Sequence, residues 1–292
     1  MADMGREECR LRTEEINKHP QREGKGEKKY RLYSKSKLPA SDYVINPYTG
    51  CVHGCLYCYA CFMGRFTGRD QPWGTYAEPK KYDSMKLPVR QEDKTILVGS
   101  VTDAYQPVEA RFCQMPRILE CLRTYRGHVE ILTKSNLILR DLELLKQIPD
   151  ISVGVSLGLC SGRDAEALEP RASGIRERLD TLKTLHDNGI PTYLFVAPYF
   201  PGITNLRRLT EWSKGFADFV GVENLNLRGG YKAKVMAFIG ERHPDLLPLY
   251  RQIYEKGGGA AYWKEVEAEL EETEKEMEIP FVSYLYHEKI RK

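Results

Sequence analysis

The sequence lacks an apolar run that approaches the length of a bilayer span, and residues 1–5 are not followed by a signal peptide. We therefore expect a cytoplasmic protein without membrane contact. A net charge of +3 over 292 residues is too small to indicate a nucleic-acid-binding protein by itself. The composition, 41% hydrophobic and 29% charged, is typical of a globular chain with one large domain or a domain with extensions.

The placement of the cysteines is the most informative feature of the chain. It has eight cysteines, which in an intracellular protein of this size favours metal or redox chemistry over a disulfide scaffold. Cys51, Cys55 and Cys58 share one short window, C-x3-C-x2-C, with an aromatic residue before the last cysteine. Three thiolates at this spacing are suited to an iron–sulfur cluster.

This window leaves a [4Fe–4S] cluster one ligand short. One of the four irons then stays open to a small molecule, as the open position of a catalytic zinc does. The alternative is a zinc site or an electron-transfer cluster held by four thiolates, because Cys61 extends the run and His53 is another available ligand. No distant second pair completes a zinc knuckle, so the three-cysteine cluster is the favoured interpretation.

Short apolar runs alternate with amphipathic segments after this window. The pattern predicts strands and helices at the following ranges: strands 95–100, 128–133, 151–157, 192–197 and 219–224, and helices 108–125, 139–147, 171–188 and 205–215. Repeated βα units predict a parallel sheet with outer helices. With one strand beside the cysteine window, the prediction is an α/β fold, a partial (β/α)6 TIM-like barrel, with its chemistry at the carboxyl ends of the strands.

The chain divides into a charged N-terminal arm, the partial barrel and a mainly helical C-terminal extension, with predicted bounds 1–44, 45–230 and 231–292. The arm is basic because residues 6–37 are rich in Arg and Lys, and we expect it to be solvated. In the extension, the pattern predicts a charged amphipathic helix followed by a final strand at 280–286.

The cysteine window resembles the signature of the radical S-adenosylmethionine (SAM) superfamily. Further segments are similar to its spore photoproduct lyase-like branch, which includes enzymes similar to peptide spliceases; they are residues 50–59, 102–109, 132–135, 140–141 and 168–171. The resemblance implies that Cys51, Cys55 and Cys58 bind a [4Fe–4S] cluster whose fourth iron chelates SAM. An electron would cleave SAM to methionine and a 5′-deoxyadenosyl radical, which abstracts a substrate hydrogen.

The same resemblance assigns side chains to the methionyl end of SAM. Ser100 and Thr102 would lie near the amino group, with Asp103 as a further contributor. Lys134 would neutralise the carboxylate as a compact point charge. The structural alternatives for these residues are turns, helix caps and ion pairs beneath the loops.

At the adenosine end, the resemblance implies contacts from aromatic and backbone groups. Tyr57 and Tyr59 would pack beside the adenosine, and Ala197 would offer backbone contacts to the adenine. Ser156 would hydrogen-bond the ribose or the carboxylate.

The substrate and the partners are open at this level. No cysteine follows Cys160, which favours a compact enzyme with one cluster. We favour a ribosomal peptide or protein as the substrate, presented with or without a partner protein. Tyr284, Tyr286 and His287 are candidates to line a wide opening for it, but an ordinary half-buried strand is the favoured interpretation of these three residues. Nucleic-acid repair or modification, with the basic arm as a phosphate contact, is one alternative. A non-enzymatic four-cysteine metal protein is another. A radical SAM enzyme would also need a reductant, flavodoxin or ferredoxin.

Overall fold

The computed structural model describes residues 29–285. Its strands, β1 to β12, are Tyr30–Arg31, Ser34–Lys35, Tyr43–Ile45, Tyr48–Gly50, Ala77–Pro79, Tyr82–Ser84, Thr95–Val98, His128–Thr133, Ile151–Ser156, Thr192–Tyr199, Phe219–Asn224 and Phe281–Tyr284. Its α-helices, α1 to α9, are Glu109–Phe112, Gln114–Leu122, Leu142–Leu145, Gly162–Leu168, Ile175–Asp187, Leu206–Ser213, Lys232–Arg242, Leu247–Tyr254 and Gly259–Met277. Three 3₁₀-helices span Tyr59–Phe66, Asn136–Asp141 and Pro244–Leu246.

Eight of these strands form one sheet, in the order β12-β11-β10-β9-β8-β7-β3-β2. All neighbouring strands are parallel except β2, which is antiparallel to β3. Within the described residues the two end strands do not pair, so the barrel is open. The predicted α/β fold with a partial barrel is confirmed, and β12 adds a parallel strand beside β11.

Each central strand has two unlike faces. The outer residues, such as Ile96, Ile131 and Val155, are buried in one core with helix residues that include Leu119 and Leu182. Along β8, buried residues alternate with half-buried ones, as the pleat of a strand requires. The alternate residues form the inner face of the partial barrel, and the site lies where these strands end.

Two predicted helices differ from the structure in ways that matter for the site. The helix predicted at 108–125 is two helices, because Cys113 takes a left-handed conformation with φ 48°. The helix predicted at 171–188 begins only at Ile175, since Glu177 accepts the backbone N–H of Gly174 at 2.8 Å and defines its first turn. Residues 169–174 are therefore a loop that reaches the cysteines.

Residues 231–285 are mainly helical and end in β12, as predicted for the extension. The helix Gly259–Met277 packs into the main core through Trp263, Val266 and Leu270. Residues 30–45 contribute β1, β2 and β3 to sheets. The rest of the predicted arm and the aromatic tail positions Tyr286 and His287 lie outside the described residues. Among residues 29–285, no helix is long and apolar enough to span a bilayer.

Candidate cluster and SAM site

The cysteine loop, residues 51–58, begins directly after β4 and is anchored at its start by two buried side chains. The Thr102 hydroxyl donates to the Gly50 carbonyl at 2.6 Å. Gln106 donates to the same carbonyl at 3.3 Å and accepts the Val52 N–H at 2.7 Å. Thr102 was predicted near the SAM amino group; in the structure its hydroxyl hydrogen is directed at the loop backbone.

His53 holds the middle of the loop. One ring nitrogen lies 3.0 Å from Asp103 Oδ2 and the other lies 2.9 Å from the Arg171 carbonyl. Asp103 also accepts the Thr133 hydroxyl and the Lys134 N–H, both at 2.8 Å. Burial raises the pKa of Asp103, but the imidazole and these donors outweigh it and hold the pKa below its ordinary value. Both ring nitrogens of His53 are therefore engaged, which leaves none for a metal.

Arg171 fastens the outer side of the loop. Its guanidinium donates to the carbonyls of Val52 and Gly74. Gly54 has φ +67°, and a Cβ there would lie 2.5 Å from the Arg171 guanidinium. Glycine is thus the residue type that permits both the turn and this contact.

The cysteine loop itself carries the thiols of Cys51, Cys55 and Cys58, and these thiols are buried. Burial raises the pKa of Cys51 to about 12 and raises the pKa of Cys55 well above its ordinary value. The charge of Cys58 raises the pKa of both Cys51 and Cys55, because the three sulfurs lie near one another. Buried thiolates of this kind need positive metal to stay ionised.

The donor set fits a cluster better than a single ion. Within residues 29–285, no three His, Cys, Asp or Glu side chains are close enough to hold one metal ion. Thiolates of a [4Fe–4S] cluster bind separate irons and stand farther apart than the ligands of one tetrahedral zinc. Cys61 lies in the 3₁₀-helix Tyr59–Phe66, beyond the loop, and its thiol is less deeply buried than those of Cys51, Cys55 and Cys58.

Four predicted SAM-site residues meet around one ammonium group. Lys134 Nζ donates to the Ser156 hydroxyl and, at 3.2 Å, to the Ala197 carbonyl. It also lies 5.8 Å from the centre of the Tyr57 ring. Lys134, Ser156 and Ala197 come from the ends of β8, β9 and β10, so parallel strand order brings them together.

A buried carboxylate completes this group. Glu169 lies 3.4 Å from Lys134 and 2.7 Å from Arg178, and its side chain is 2% exposed. The Tyr57 hydroxyl also donates to Glu169. Burial raises the pKa of Glu169, but the charges of Arg178 and Lys134 overcome it and lower the pKa to about 2.

Ser100 and Tyr59 form a second group on the side of β3 and β7. Asn46, the residue after β3, donates to the Ser100 hydroxyl at 2.9 Å and accepts the Val101 N–H at 3.1 Å. The Tyr59 hydroxyl donates to the Ser100 carbonyl, while the residue as a whole is 49% exposed. The Tyr59 ring therefore lies at the surface of the site.

Residues 45–209 match the family model of the radical SAM superfamily. The chain belongs to this superfamily. It is a radical SAM enzyme, and its cofactors are a [4Fe–4S] cluster and SAM. The family match therefore excludes the alternative of a non-enzymatic four-cysteine metal protein.

Several proteins are similar to this radical SAM enzyme over much of its length. An uncharacterized protein of Methanocaldococcus jannaschii is 33% identical over 210 residues, which cover 72% of this chain and 80% of that protein. An uncharacterized protein of Mycobacterium tuberculosis is 30% identical over 234 residues, 74% of this chain and 68% of that protein. The radical SAM Nalpha-GlyT isomerase of Pseudomonas phage M6 is 27% identical over 175 residues, 58% of this chain and 36% of that protein.

A solved structure supports the fold assignment. Spore photoproduct lyase complexed with dinucleoside spore photoproduct has a TM-score of 0.51 and 18% identity to this chain. The match covers 73% of this chain and 63% of the lyase chain. At this identity, the likeness concerns the partial barrel alone.

Sequence reasoning missed several residues that shape the site, namely Asn46, Gln106 and Arg178. Arg178 is 1% exposed on the helix Ile175–Asp187, where it shares a face with the buried Thr181, Leu182 and Leu185. That spacing was a usable signal, because a charge in line with an apolar face is turned inward. Asn46 and Gln106 had no such signal, since polar residues in loops are mostly solvated.

Proposed function

We propose that Cys51, Cys55 and Cys58 hold the cluster and that SAM binds between the Lys134 group and the Ser100 group. The supporting observation is that both groups and the three thiols meet at the carboxyl edge of one parallel sheet, where barrels of this kind carry their chemistry. With both cofactors bound, reductive cleavage of SAM supplies a 5′-deoxyadenosyl radical that takes a hydrogen atom from the substrate. The chain's own residues bind and orient SAM and the substrate, and they shield the radical from water.

The charges around Lys134 support its role with the SAM carboxylate. Lys134 and Arg178 share one carboxylate, that of Glu169, so the group carries one excess positive charge. A second carboxylate beside Lys134 would neutralise it. Ser156 would supply a hydroxyl to the same end of SAM, and Tyr57 would pack beside the adenosine.

We assign Thr102 and Asp103 to the loop rather than to SAM. Their polar atoms already bond to Gly50, His53 and the neighbouring backbone. Ser100 stays with SAM, because its hydroxyl lies beside the Asn46 amide oxygen and the two together suit an ammonium group. Tyr59 would cover the adenosine from the open side, and Ala197 would contribute its backbone.

The inner face of the partial barrel favours a peptide or protein substrate, in a splicease-like maturation. Phe195, level with Ser156 in the β9–β10 register, meets Tyr284 edge-on with ring centres 5.9 Å apart. Glu223 pairs with Tyr284 in the β11–β12 register. Aromatic rings beside a carboxylate disfavour a polyphosphate and suit an aromatic or basic side chain.

Nucleic-acid modification is the second candidate, favoured by the Arg- and Lys-rich residues 6–37. Those charges would release counterions from phosphates and give strong salt dependence to binding. The two substrates therefore differ in a simple observable, the effect of salt on affinity.

A surface beside the cluster loop supports docking of a flavodoxin or ferredoxin reductant. We call it the aromatic–basic surface; its residues are Tyr59, Phe62, Arg65, Phe66 and Lys234. Phe62 and Phe66 are 44% and 60% exposed, and the Arg65 guanidinium lies 5.8 Å and 4.8 Å from their ring centres. The 3₁₀-helix that carries them contains no acidic residue. Such a surface complements a reductant protein with an acidic docking face, and electron-transfer contacts are small enough for one short helix.

Anaerobic reconstitution followed by a 5′-deoxyadenosine assay tests the proposal. We expect SAM cleavage in wild-type protein and none in Cys55→Ala. With candidate peptides added in deuterated water, we expect substrate-dependent 5′-deoxyadenosine and a mass change in the peptide. Turnover stimulated by single-stranded DNA or RNA but by no peptide would overturn the peptide assignment. Absence of SAM cleavage despite a complete cluster would overturn the site assignment.

A further inference from the structure

Two aromatic rings meet on the inner face of the partial barrel, where β10, β11 and β12 lie side by side. Phe195 on β10 is level with Gly221 on β11. A Cβ on Gly221 would lie 2.7 Å from the Phe195 ring and 3.7 Å from the Tyr284 ring, so glycine makes room for both rings. The ring centres are 5.9 Å apart and the ring planes meet at 79°. We call this arrangement of Phe195 and Tyr284 the aromatic corner.

Glu223 brings a carboxylate to the aromatic corner. It lies two residues after Gly221 on β11, and because side chains alternate along a strand, it is on the same face. Val220 and Val222 are buried in the outer core, as this alternation requires. Glu223 is half-buried and level with Tyr284 in the β11–β12 register. The corner therefore combines two ring faces with one negative charge.

The aromatic corner lies between the proposed SAM site and the open side of the barrel. Phe195 is level with Ser156 on β9, which we assigned to SAM. In the part of the chain that the structure describes, β12 is an end strand of the sheet, and it carries Tyr284. A peptide that passes the open side could therefore place one side chain in the corner, close to bound SAM.

We propose that Glu223 is a specificity-determining residue, which selects peptides by binding a Lys or Arg side chain in the aromatic corner. The inference rests on the proposed function, in which a peptide is the substrate. An ammonium or guanidinium group is attracted to the faces of aromatic rings, and it also compensates the charge of a half-buried carboxylate. An uncharged side chain would cover that carboxylate without compensation, and an acidic one would be repelled. The carboxylate thus narrows the choice among the side chains that the rings alone would accept.

Peptide selection tests the proposal on the wild-type protein. A random heptapeptide library is selected, without oxygen, on immobilised full-length protein that holds its cluster and SAM. We expect Lys or Arg at one fixed position of the selected peptides. Norleucine at that position keeps the aliphatic stem and removes the charge, and we expect it to weaken binding about tenfold. Selected peptides without a basic residue, or equal binding of the norleucine peptide, would overturn the proposal.

A charge-removing variant identifies the residue that reads the basic side chain. Glu223→Gln keeps the size of the side chain, and we expect it to bind the basic and norleucine peptides equally. Glu120→Gln is the matched control, because Glu120 is exposed and pairs with Arg123 at the surface, and it should keep the preference. Iron content and SAM affinity are measured for both variants. A preference that survives in Glu223→Gln overturns the proposal, and so does a loss of SAM affinity at full iron content, which would place Glu223 on SAM.

The norleucine comparison uses wild-type protein, so it decides the proposal even if Glu223→Gln does not fold. Failure of the proposed function gives a different result. If no peptide binds and single-stranded DNA or RNA stimulates SAM cleavage, the peptide assignment itself is wrong. If peptides bind and are modified but the basic residue makes no difference, only the role of Glu223 is wrong.

Discussion

The Lys134 ammonium lies 3.4 Å from the Glu169 carboxylate, which also binds Arg178 at 2.7 Å. Two cations share one buried anion, and the contact joins the loop after β8 to the loop that follows the helix Gly162–Leu168. The excess positive charge lies beside Tyr57, between the second and third cysteines of the window. The protein without ligands therefore already carries, beside Lys134, a positive charge that favours the binding of an anionic group.

Replacing Lys134 by methionine keeps much of its length and removes the charge. We expect SAM affinity to fall about 10- to 100-fold, the value of a lost charge-assisted hydrogen bond of about 1.5–3 kcal/mol. Lys183→Met is the matched control, because Lys183 pairs with Asp187 on the outer helix. Calorimetric titration of reconstituted protein with SAM measures both. Equal affinities in the two variants would contradict the assigned role of Lys134.

Glu169 makes the free energy of unfolding depend on pH in the acidic range. Its folded-state pKa of about 2 lies below that of an unfolded Glu, about 4.3, so the ionised group stabilises the fold above about pH 4.3. This stabilisation, on the order of 3 kcal/mol, is lost as the pH falls toward 2. We expect Glu169→Gln to lower the free energy of unfolding at pH 7, with a difference from wild type that narrows in acid.

Chemical denaturation of the cofactor-free chain between pH 3 and pH 7 measures this difference without interference from acid loss of the cluster. Glu143→Gln is the control, since Glu143 pairs with Lys146 at the surface. A pH-independent difference for Glu169→Gln would show that its charge does not stabilise the fold.

Single cysteine substitutions separate a three-ligand cluster from a four-thiolate site. We expect Cys51→Ala, Cys55→Ala and Cys58→Ala each to abolish the iron–sulfur absorbance, and Cys61→Ala to retain it with full SAM cleavage. The reason is that Cys61 lies in the 3₁₀-helix after the loop and its thiol is less deeply buried than the other three. Iron content measured per chain decides the point. Loss of iron in Cys61→Ala would restore the four-thiolate interpretation.

The His53–Asp103 contact should stabilise the cysteine loop far more than a similar contact at the surface. Asp103→Asn removes the charge from a side chain that is 9% exposed, and we expect a loss of about 1–3 kcal/mol and slower cluster assembly. His128 and Asp150 form the matched pair, with Asp150 65% exposed, so Asp150→Asn should cost about 0–1 kcal/mol. Denaturation midpoints and the hydrogen exchange of residues 51–58 measure both variants. An equal or larger loss of stability in Asp150→Asn would contradict the prediction.

The aromatic–basic surface should affect reduction by protein but not by a small molecule. We expect Phe66→Ser combined with Arg65→Glu to slow SAM cleavage about tenfold with reduced flavodoxin and to leave the rate with dithionite unchanged, because steering by charge acts on the encounter. Binding of oxidised flavodoxin should weaken in parallel and with added salt. Arg176→Glu, at a side chain 94% exposed on the outer helix, is the control.

Slower cleavage with both reductants would point to damage at the cluster instead. Normal reduction by flavodoxin with impaired, salt-sensitive nucleic-acid binding would assign the same surface to a nucleic-acid substrate.

Local patterns predicted the parts of the fold that depend on neighbours in sequence. The strands His128–Thr133 and Phe219–Asn224 have the predicted bounds, since alternation and composition are local properties. The break at Cys113 was missed because a left-handed residue inside an amphipathic run leaves no mark on the periodicity. For the candidate site, strand ends predicted Lys134, Ser156 and Ala197 as neighbours, and the structure brings these three together.

What the sequence alone determined is the cofactor chemistry and the succession of strands along the chain. Cysteine spacing and the alternation of apolar residues are short-range properties, so they can be recognised without knowledge of the fold. The tertiary structure decided which distant groups act on those residues. Glu169 and Arg171 reach the cysteine loop from residues 169–174, and Arg178 holds Glu169 from an outer helix. Their contacts follow from sheet register and loop packing, and burial then gives each charge or donor a strength that it lacks in water.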